Sequence, residues 1–261
     1  MDLLNVLSIL IGILGVIIPL IIRSYDININ TSKYKFTKVN RNKYSFVFKD
    51  RPQTINILYG NLNNKKWLEK YNKNTLIILG SNERFKDMCI VRNSGALGTF
   101  INTIIPGQSE VIQQNIYNVA SKKFRNSRGH NIGKWIEFGQ EINSNGKLDF
   151  LVGIVAVTQF KNKIVKAYSS NIINAFRGIH EMANIYHPQE IYMPLLGSGE
   201  GGVSPQLSLL CLLISSFEEI GREDGHNFKD INIVIFEDSK QKASISRKRI
   251  KLIARLISTI F

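Results

Sequence analysis

The sequence predicts an α/β protein whose helices cover a largely parallel sheet. Segments rich in β-branched and apolar residues alternate with segments of helical spacing along most of the chain. One of them, Thr75–Leu79, is a continuous apolar run, as expected for a strand buried on both faces. Two glycine-rich regions follow strands, which is where open α/β sheets bind their ligands: Gly80–Phe85 with the later Asn93–Thr99, and Gly197–Pro205.

The individual elements alternate in the order that this fold class requires. Apolar and β-branched runs predict strands at Tyr44–Phe48, Thr54–Tyr59, Thr75–Leu79, Phe150–Thr158, Ile191–Leu196 and Ile231–Phe236. Helical spacing predicts helices at Asn63–Asn72, in parts of Thr99–Lys122, and at Ser170–Tyr186, Ser204–Ile220 and Ser244–Phe261. The least regular region, Pro106–Asn145, is predicted to hold a helix and a long exposed loop.

The composition is that of a folded, basic protein. Of the 261 residues 44% are hydrophobic, so the chain can bury a core, and intrinsic disorder is excluded. The 34 lysines and arginines exceed the 20 aspartates and glutamates, which gives a net charge of +14. This excess indicates an anionic partner: nucleic acid, anionic lipid or a phosphorylated small molecule. Cys89 and Cys211 cannot build a disulfide framework, so a reducing compartment is expected.

An apolar segment near the N-terminus predicts a transmembrane helix. Leu3–Ile22 has 20 residues without a charge and would span about 30 Å as a helix, enough to cross the hydrocarbon core. A signal peptide is disfavoured because Asp2 is the only charge before the segment, and a buried core helix is rarely apolar on every face. Basic residues follow at Arg23, Lys33, Lys35, Lys38, Arg41 and Lys43. The positive-inside rule therefore predicts a single-pass protein of the cell inner membrane with a cytoplasmic C-terminal domain.

The chain divides into three parts on this interpretation. Residues 1–24 form the transmembrane helix, residues 25–49 a basic juxtamembrane connector that ends in the first strand, and residues 50–261 the main domain. Within the membrane segment, Ser8 and Gly12 have the small-xxx-small spacing that lets two helices approach closely. Glycine is also common in membrane helices, so the spacing leaves both self-association and ordinary membrane composition open.

The second glycine-rich segment, Gly197–Pro205, carries the stronger indication of a ligand site. It reads GSGEGGVSP and leads directly into a predicted helix. Glycines at such a place bring backbone N–H groups close to an anion, and the helix N-terminus favours negative charge. Ser204 and Pro205 are at the same time typical of an N-cap and of the first helical position. The spacing matches neither the dinucleotide-binding fingerprint nor the P-loop, so both of those sites are disfavoured.

Five segments, taken together, are similar to the macro domains that bind ADP-ribose. In chain order they are Ile55–Leu62, Thr75–Asn82, Ser94–Thr99, Pro194–Val203 and Ile231–Glu237. The fourth, PLLGSGEGGV, resembles the second phosphate loop of that family and is the most specific match. The resemblance implies a three-layer α/β/α macro-domain sandwich with a mixed sheet, here preceded by the N-terminal transmembrane helix. It also implies an ADP-ribose-derived nucleotide as the ligand, with no cofactor and no metal.

The resemblance places the ligand-binding residues at the ends of strands. They are Asn61 and Leu62, then Asn82, then Ser94, Gly95, Ala96, Leu97 and Gly98 of the first phosphate loop, then Gly197, Ser198, Gly199, Glu200, Gly201, Gly202 and Val203 of the second, and finally Phe236 and Glu237. Asn61 stands where the family has an acid that contacts adenine, and an amide can still hydrogen-bond adenine without a charge. The first loop lacks the acid of hydrolytic members, so we expect no catalytic residue, with Glu200 as a general base the alternative.

A membrane helix joined to a macro domain resembles the membrane effectors of bacterial antiphage systems of the Thoeris type. That resemblance implies a TIR-domain enzyme that makes an ADP-ribose-derived messenger, such as an amino-acid conjugate of ADP-ribose. The effector would bind the messenger, self-associate as a homo-oligomer and disrupt the lipid membrane. A membrane-tethered ADP-ribosyl hydrolase and a tethered reader of ADP-ribosylated proteins are the alternatives that the sequence leaves open.

The C-terminal segment, residues 239–261, is basic and amphipathic. It carries seven basic residues and no acid: Lys240, Lys242, Arg247, Lys248, Arg249, Lys251 and Arg255. It is either a final helix that packs on the sheet with a solvated basic face, or an amphipathic helix that contacts anionic lipid. No aromatic platform accompanies the charge, so no nucleic-acid partner is expected. His180 and His187 lack further ligands nearby, so no metal site is expected there.

Overall fold

The computed structural model describes residues 29–86, 88–125, 131–139, 141–142, 148–161, 164–222, 228–238 and 242–261. The predicted membrane segment Leu3–Ile22 lies outside these residues. Within them, no helix combines the length and the apolar character that crossing a membrane requires.

Strands and helices alternate through the described part of the chain, as the sequence predicts. The strands are β1 (Ile29–Asn30), β2 (Tyr34–Asn40), β3 (Lys43–Phe48), β4 (Thr54–Gly60), β5 (Thr75–Asn82), β6 (Trp135–Glu137), β7 (Leu151–Lys161), β8 (Ile164–Lys166), β9 (Glu190–Pro194) and β10 (Asp230–Phe236). The helices are α1 (Lys65–Leu68), α2 (Met88–Val91), α3 (Gly95–Ile104), α4 (Ser109–Lys123), α5 (Ser169–Tyr186), α6 (Pro205–Gly221) and α7 (Arg247–Ile260).

The strands form a mixed sheet with a parallel centre. Their order is β1-β2-β3-β4-β10-β9-β5-β7-β6, and β8 pairs with β7 beyond this path. The central strands β4, β10, β9, β5 and β7 are all parallel. The strands at both edges pair antiparallel. The carboxyl ends of the five central strands therefore open at the same edge of the sheet, where α/β folds bind ligands.

Helices cover both faces of the sheet, because the central strands are apolar on both faces. In β5, Leu76 and Ile78 pack with α5, α6 and α7, whereas Ile77 and Leu79 pack with α2, α3 and α4. This burial on both sides explains why the run Thr75–Leu79 carries no polar alternation. The α/β architecture and the mixed sheet are thus confirmed.

Two regions contain strands that the sequence analysis missed. Residues 34–40, interpreted as connector, form β2, which pairs with β3 in a hairpin. The period of two is present, since Tyr34 and Phe36 are buried and Lys35 is exposed, but polar neighbours conceal it. Within the predicted loop of residues 106–145, β6 pairs with β7 through Ile136, which is fully buried. That region is therefore partly core and not only an exposed loop.

Candidate functional site

The carboxyl ends of the central strands open into a cleft made of two adjoining cavities. The larger has a volume of about 400 Å³ and lies beside β4 and β10. The smaller, about 90 Å³, lies between β5, β7 and the segment after β9. Gly95, Ala96, Pro194, Leu195 and Gly199 line both cavities. The two are consequently one continuous cleft, within the size range of small-molecule sites.

The larger cavity has an apolar wall and a polar wall. Leu62, Phe100, Val234 and Phe236 supply apolar surface, and Phe236 is 55% exposed. Asn61, Asn63, Thr99, Ser198 and Ser244 supply polar groups. An exposed aromatic ring beside amide and hydroxyl groups is suited to a flat ligand that both stacks and hydrogen-bonds.

The segment between β9 and α6 forms a loop that lines the cleft. Gly197 and Gly202 both have a φ of 73°, a conformation that favours glycine. The N–H of Val203 donates to the carbonyl of Gly197 at 3.1 Å, which closes the loop. Within the described part of the chain, the N–H groups of Gly199, Glu200 and Gly201 make no backbone hydrogen bond. These amides can therefore donate to an anion.

Gly201 is required by close packing at the base of this loop. A Cβ at this position would lie 2.7 Å from the carbonyl oxygen of Gly197 and 2.8 Å from the Cβ of Ala167. The backbone N–H of Ala167 donates to the carbonyl of Gly201 at 2.8 Å, which holds the loop against the start of α5. A side chain here would push the loop out of this position.

The capping role predicted for Ser204 and Pro205 is confirmed. The Ser204 hydroxyl accepts a hydrogen bond from the N–H of Leu207 at 3.3 Å, and Pro205 is the first residue of α6. The same segment thus caps a helix and lines the cleft. The N-terminus of α6 adds a partial positive charge beside the larger cavity.

The predicted first phosphate loop is largely helical, which corrects the sequence interpretation. Ser94 is the N-cap residue of α3, without a side-chain cap hydrogen bond, and Gly95 to Gly98 form the first turn of that helix. Gly98 is buried, and a Cβ there would lie 2.0 Å from the carbonyl oxygen of Cys89. The glycine serves close packing between α2 and α3 and not loop flexibility. Gly95 and Ala96 lie at the cleft, and Leu97 lines the smaller cavity although it is buried.

Asn82 lies at the end of β5, but its side chain holds the next turn. Its amide donates to the carbonyl of Lys86 at 2.9 Å, and its oxygen accepts from the N–H of Arg84 at 2.9 Å. Asn82 is buried and lies outside the lining of both cavities. Its neighbour Ser81 lines the smaller cavity instead.

The two residues after Ile235, at the end of β10, have different surroundings. Phe236 forms a wall of the larger cavity, whereas the carboxylate of Glu237 accepts a hydrogen bond from the guanidinium of Arg247 at 2.9 Å. That guanidinium also lies over the ring of Tyr59, 4.3 Å from its centre. Glu237 is therefore held by a cation beside the cleft and does not line it.

The structure brings most of the expected residues together at the cleft and leaves others outside. Those that line it are Asn61, Leu62, Gly95, Ala96, Leu97, Gly197, Ser198, Gly199, Glu200, Gly201 and Phe236. Those that do not are Asn82, Ser94, Gly98, Gly202, Val203 and Glu237. Among the polar residues that line the cleft, sequence reasoning missed Asn63, Ser81, Thr99, Thr158 and Ser244. Thr158 lies in a run predicted as a core strand, and no motif marks Ser244.

The cleft is neutral apart from one acid. Among the described residues that line it, Glu200 is the single charged side chain, and it is exposed. The basic excess of the chain therefore lies elsewhere, and backbone amides and helix N-termini are the cleft's groups for an anion. Within the described residues, no group of three or more histidine, cysteine or acidic side chains could hold a metal.

Sequence comparison identifies the family to which this cleft belongs. A family model for the macro domain of the Thoeris protein ThsA matches residues 55–236, which include both glycine-rich segments and Phe236. This chain belongs to the Thoeris ThsA macro-domain family. The resemblance to macro domains inferred from the five segments is thus confirmed. A search of curated proteins found no match.

Solved macrodomain structures share the fold of this macro domain. A point mutant of the Oceanobacillus iheyensis macrodomain superposes with a TM-score of 0.54 at 12% identity, covering 79% of this chain and 96% of the other. The same macrodomain with ADP gives a TM-score of 0.53 at 10% identity, covering 79% and 95%. At these identities the likeness extends to the fold alone.

Proposed function

We propose that this macro domain senses an ADP-ribose-derived nucleotide messenger. The observation that carries the proposal is the continuous cleft at the carboxyl ends of the parallel strands, lined by the glycine loop before α6 and the first turn of α3. The larger cavity, with Phe236 and Asn61, takes the adenosine part. The pyrophosphate lies between Gly95–Ala96 and the amides of Gly199 to Gly201. The ADP in a solved structure of the same fold supports a nucleotide of this class.

The proposed response to the messenger is self-association at a membrane. Family membership supports a role in Thoeris-type antiphage defence, with a TIR-domain enzyme as the source of the messenger. The apolar segment Leu3–Ile22 anchors the protein in the inner membrane as a single span, with the macro domain in the cytoplasm. The messenger has a higher affinity for the self-associated state, so binding shifts the protein toward that state. Self-association brings the membrane anchors of several chains together, and these then disrupt the membrane.

Titration of the full-length protein in detergent micelles tests this proposal. ADP-ribose, an amino-acid conjugate of ADP-ribose, and NAD are added separately, with heat and particle mass recorded together. Binding of one compound with a rise in mass is the expected result. Gly201→Ala should abolish binding, whereas Gly221→Ala, with no atom within 4 Å of the added Cβ, should bind normally. Absence of binding by all three compounds, or binding without a change in mass, would contradict the sensor function.

ADP-ribosyl hydrolysis is the second candidate, and Glu200 is the residue that favours it. This carboxylate is exposed at the mouth of the smaller cavity, where a general base could activate water. Release of ADP-ribose from a modified protein, with loss of release on Glu200→Gln, would support hydrolysis. Binding without any release would support the sensor.

A further inference from the structure

The last helix, α7, has an outward face that combines basic and apolar side chains. Ile250, Ile253, Ala254 and Ile257 are buried against the domain. On the other side, Leu256 and Ile260 are 46% and 56% exposed. They are four residues apart and therefore neighbours on one face of the helix. Leu256 and Ile260 therefore lie outside the buried core.

Basic side chains flank this apolar pair. Lys248 and Arg249 are exposed and Arg255 is half-buried, and α7 contains no acidic residue. Within the described part of the chain, none of these three side chains forms an ion pair. Lys248 and Arg255 are seven residues apart, two helical turns, so they lie on the same side. Lys248, Arg249 and Arg255 thus present positive charge with which no described acid forms an ion pair.

Basic residues that flank β2 lie near the two ends of α7. At the start of the helix, Arg247 donates to the carbonyl of Arg41 at 3.0 Å. At its end, Phe261 lines a cavity together with Lys33. Lys38 lies between Lys33 and Arg41 along the chain and is exposed, on the strand face that holds Tyr34 and Phe36. Strand and helix therefore form one basic surface, defined by Lys33, Lys38, Arg41, Lys248, Arg249 and Arg255.

The same edge of the molecule is where the chain arrives from its N-terminal segment. The strand β1 begins at Ile29, pairs with β2 and packs beside α7. Six residues lie between Ile22, the end of the proposed membrane span, and Ile29, and the seven Cα–Cα steps that join them reach at most about 25 Å. The tether therefore keeps the basic surface near the bilayer.

We infer that this basic surface is a docking site for a bilayer containing anionic lipid. The inference rests on the proposed membrane anchor. Anionic headgroups match the cations of α7, and Leu256 and Ile260 enter the boundary between headgroups and acyl chains. Docking fixes the orientation of the macro domain, with α7 toward the membrane. The contact is electrostatic in the main, so salt weakens it.

Tryptophan fluorescence of the full-length chain in vesicles tests the contact. Leu256→Trp places a reporter on the apolar pair, and Ile260→Trp is a second reporter at the same face. Vesicles contain brominated acyl chains, with phosphatidylcholine alone or mixed with phosphatidylglycerol. The signal of Trp67 and Trp135 is subtracted using the parent chain. We expect quenching in the anionic vesicles only, and its loss as the salt rises from about 0.1 to about 1 M.

Charge reversal supplies the matched comparison. Lys248→Glu, Arg249→Glu and Arg255→Glu together should abolish quenching, since each lost cation weakens contact with an anionic surface about fivefold. Lys65→Glu, Lys66→Glu and Lys70→Glu change the net charge equally on exposed residues of another region and should leave quenching intact. Equal quenching in both lipid mixtures, or equal loss in both triple variants, would overturn the inference.

Alkaline carbonate extraction separates this inference from the proposed anchor. A chain that resists extraction, but whose reporters stay unquenched in anionic vesicles, overturns the docking surface and leaves the anchor standing. A chain that is extracted, yet is quenched in anionic vesicles, contradicts the anchor and supports the surface. Nucleic acid is the other polyanion to test. If immobilised nucleic acid retains the parent chain but not the variant with Lys248→Glu, Arg249→Glu and Arg255→Glu, and both reporters stay unquenched in vesicles, the surface binds nucleic acid and the inference fails.

Discussion

The carboxylate of Glu237 accepts a hydrogen bond from the guanidinium of Arg247 at 2.9 Å, one residue beyond the cleft wall at Phe236. The same guanidinium donates to the carbonyl of Arg41 at 3.0 Å and to the side-chain oxygen of Asn42 at 3.1 Å. One cation thus joins the end of β10, the start of α7 and the turn between β2 and β3. The wall of the larger cavity is held in place by the elements nearest the N-terminal segment.

Arg247→Ala should destabilise the domain and weaken nucleotide binding. The loss leaves the mostly buried Glu237 carboxylate without its cation, which costs about 1–3 kcal/mol. Arg249→Ala removes an exposed arginine two residues away and should change the free energy of unfolding by less than about 0.5 kcal/mol. Chemical denaturation of both variants measures the difference. Equal stabilities would show that the ion pair does not hold the end of β10.

Phe236→Ala should reduce nucleotide affinity with little effect on stability. The ring is 55% exposed, so its removal leaves no core cavity, while stacking of a base on an aromatic ring is worth about 1–3 kcal/mol. Tyr168→Ala is the matched control, because Tyr168 is 53% exposed and lines neither cavity. Calorimetric titration should show a loss of affinity of about fivefold or more in the first variant and none in the second. A normal affinity for Phe236→Ala would place the base elsewhere.

Gly98→Ala should destabilise the domain strongly. The added methyl would meet the backbone carbonyl of Cys89 at 2.0 Å, so α2 and α3 must move apart, at a cost of about 1–3 kcal/mol or more. Gly221→Ala meets no atom within 4 Å at the end of α6 and should gain up to about 1 kcal/mol from helix propensity. Thermal unfolding should separate the two variants in opposite directions. A Gly98→Ala variant as stable as the parent would contradict the requirement for close packing between α2 and α3 at this glycine.

Glu190→Gln should stabilise the domain at neutral pH. Burial, and then the neighbouring Asp230 carboxylate, raise the pKa of Glu190 above its ordinary value. The protonated Glu190 carboxyl therefore stabilises the folded state fully below the ordinary carboxyl pKa. This stabilisation is lost as the pH rises through the raised pKa of the folded state. The variant should melt higher than the parent at about pH 7, with the difference vanishing at about pH 4. Glu218→Gln, at an exposed site, should follow the parent at every pH.

The sequence predicts those elements whose pattern is simple. The run Thr75–Leu79 is found as β5 because it is continuously apolar, and the apolar face of residues 170–186 is found as α5 because the segment is long enough to show helical periodicity. The strand β2 is missed because its two buried rings stand among lysines and asparagines, and polar composition outweighs a short period of two. Its partner β3 is found because aromatic and β-branched residues make up most of Tyr44–Phe48.

The sequence predicts the part of the site that is formed by the glycine loop. It does not predict the residues that tertiary packing brings to the cleft. The loop from Gly197 to Val203 is visible as glycine spacing, and its amides at Gly199 to Gly201 make no backbone hydrogen bond to any described residue. Gly98, by contrast, is a glycine because Cys89 packs closely against it. This close approach exists only in the folded chain, so the sequence does not show it. Ser244 lies at the cleft because its N–H donates to the carbonyl of Phe236 at 3.3 Å. No local sequence pattern predicts this contact.

The position of β10 governs when a growing chain becomes competent to bind. This strand is the last in the described part of the sequence, yet it lies between β4 and β9 and pairs with both. A chain that ends before Asp230 has two unjoined half-sheets and lacks the Phe236 wall. Synthesis proceeds from the N-terminus, so the cleft is completed only after Phe236 has been made. Nascent chains and fragments that end before Asp230 therefore lack a complete cleft and cannot respond to the nucleotide.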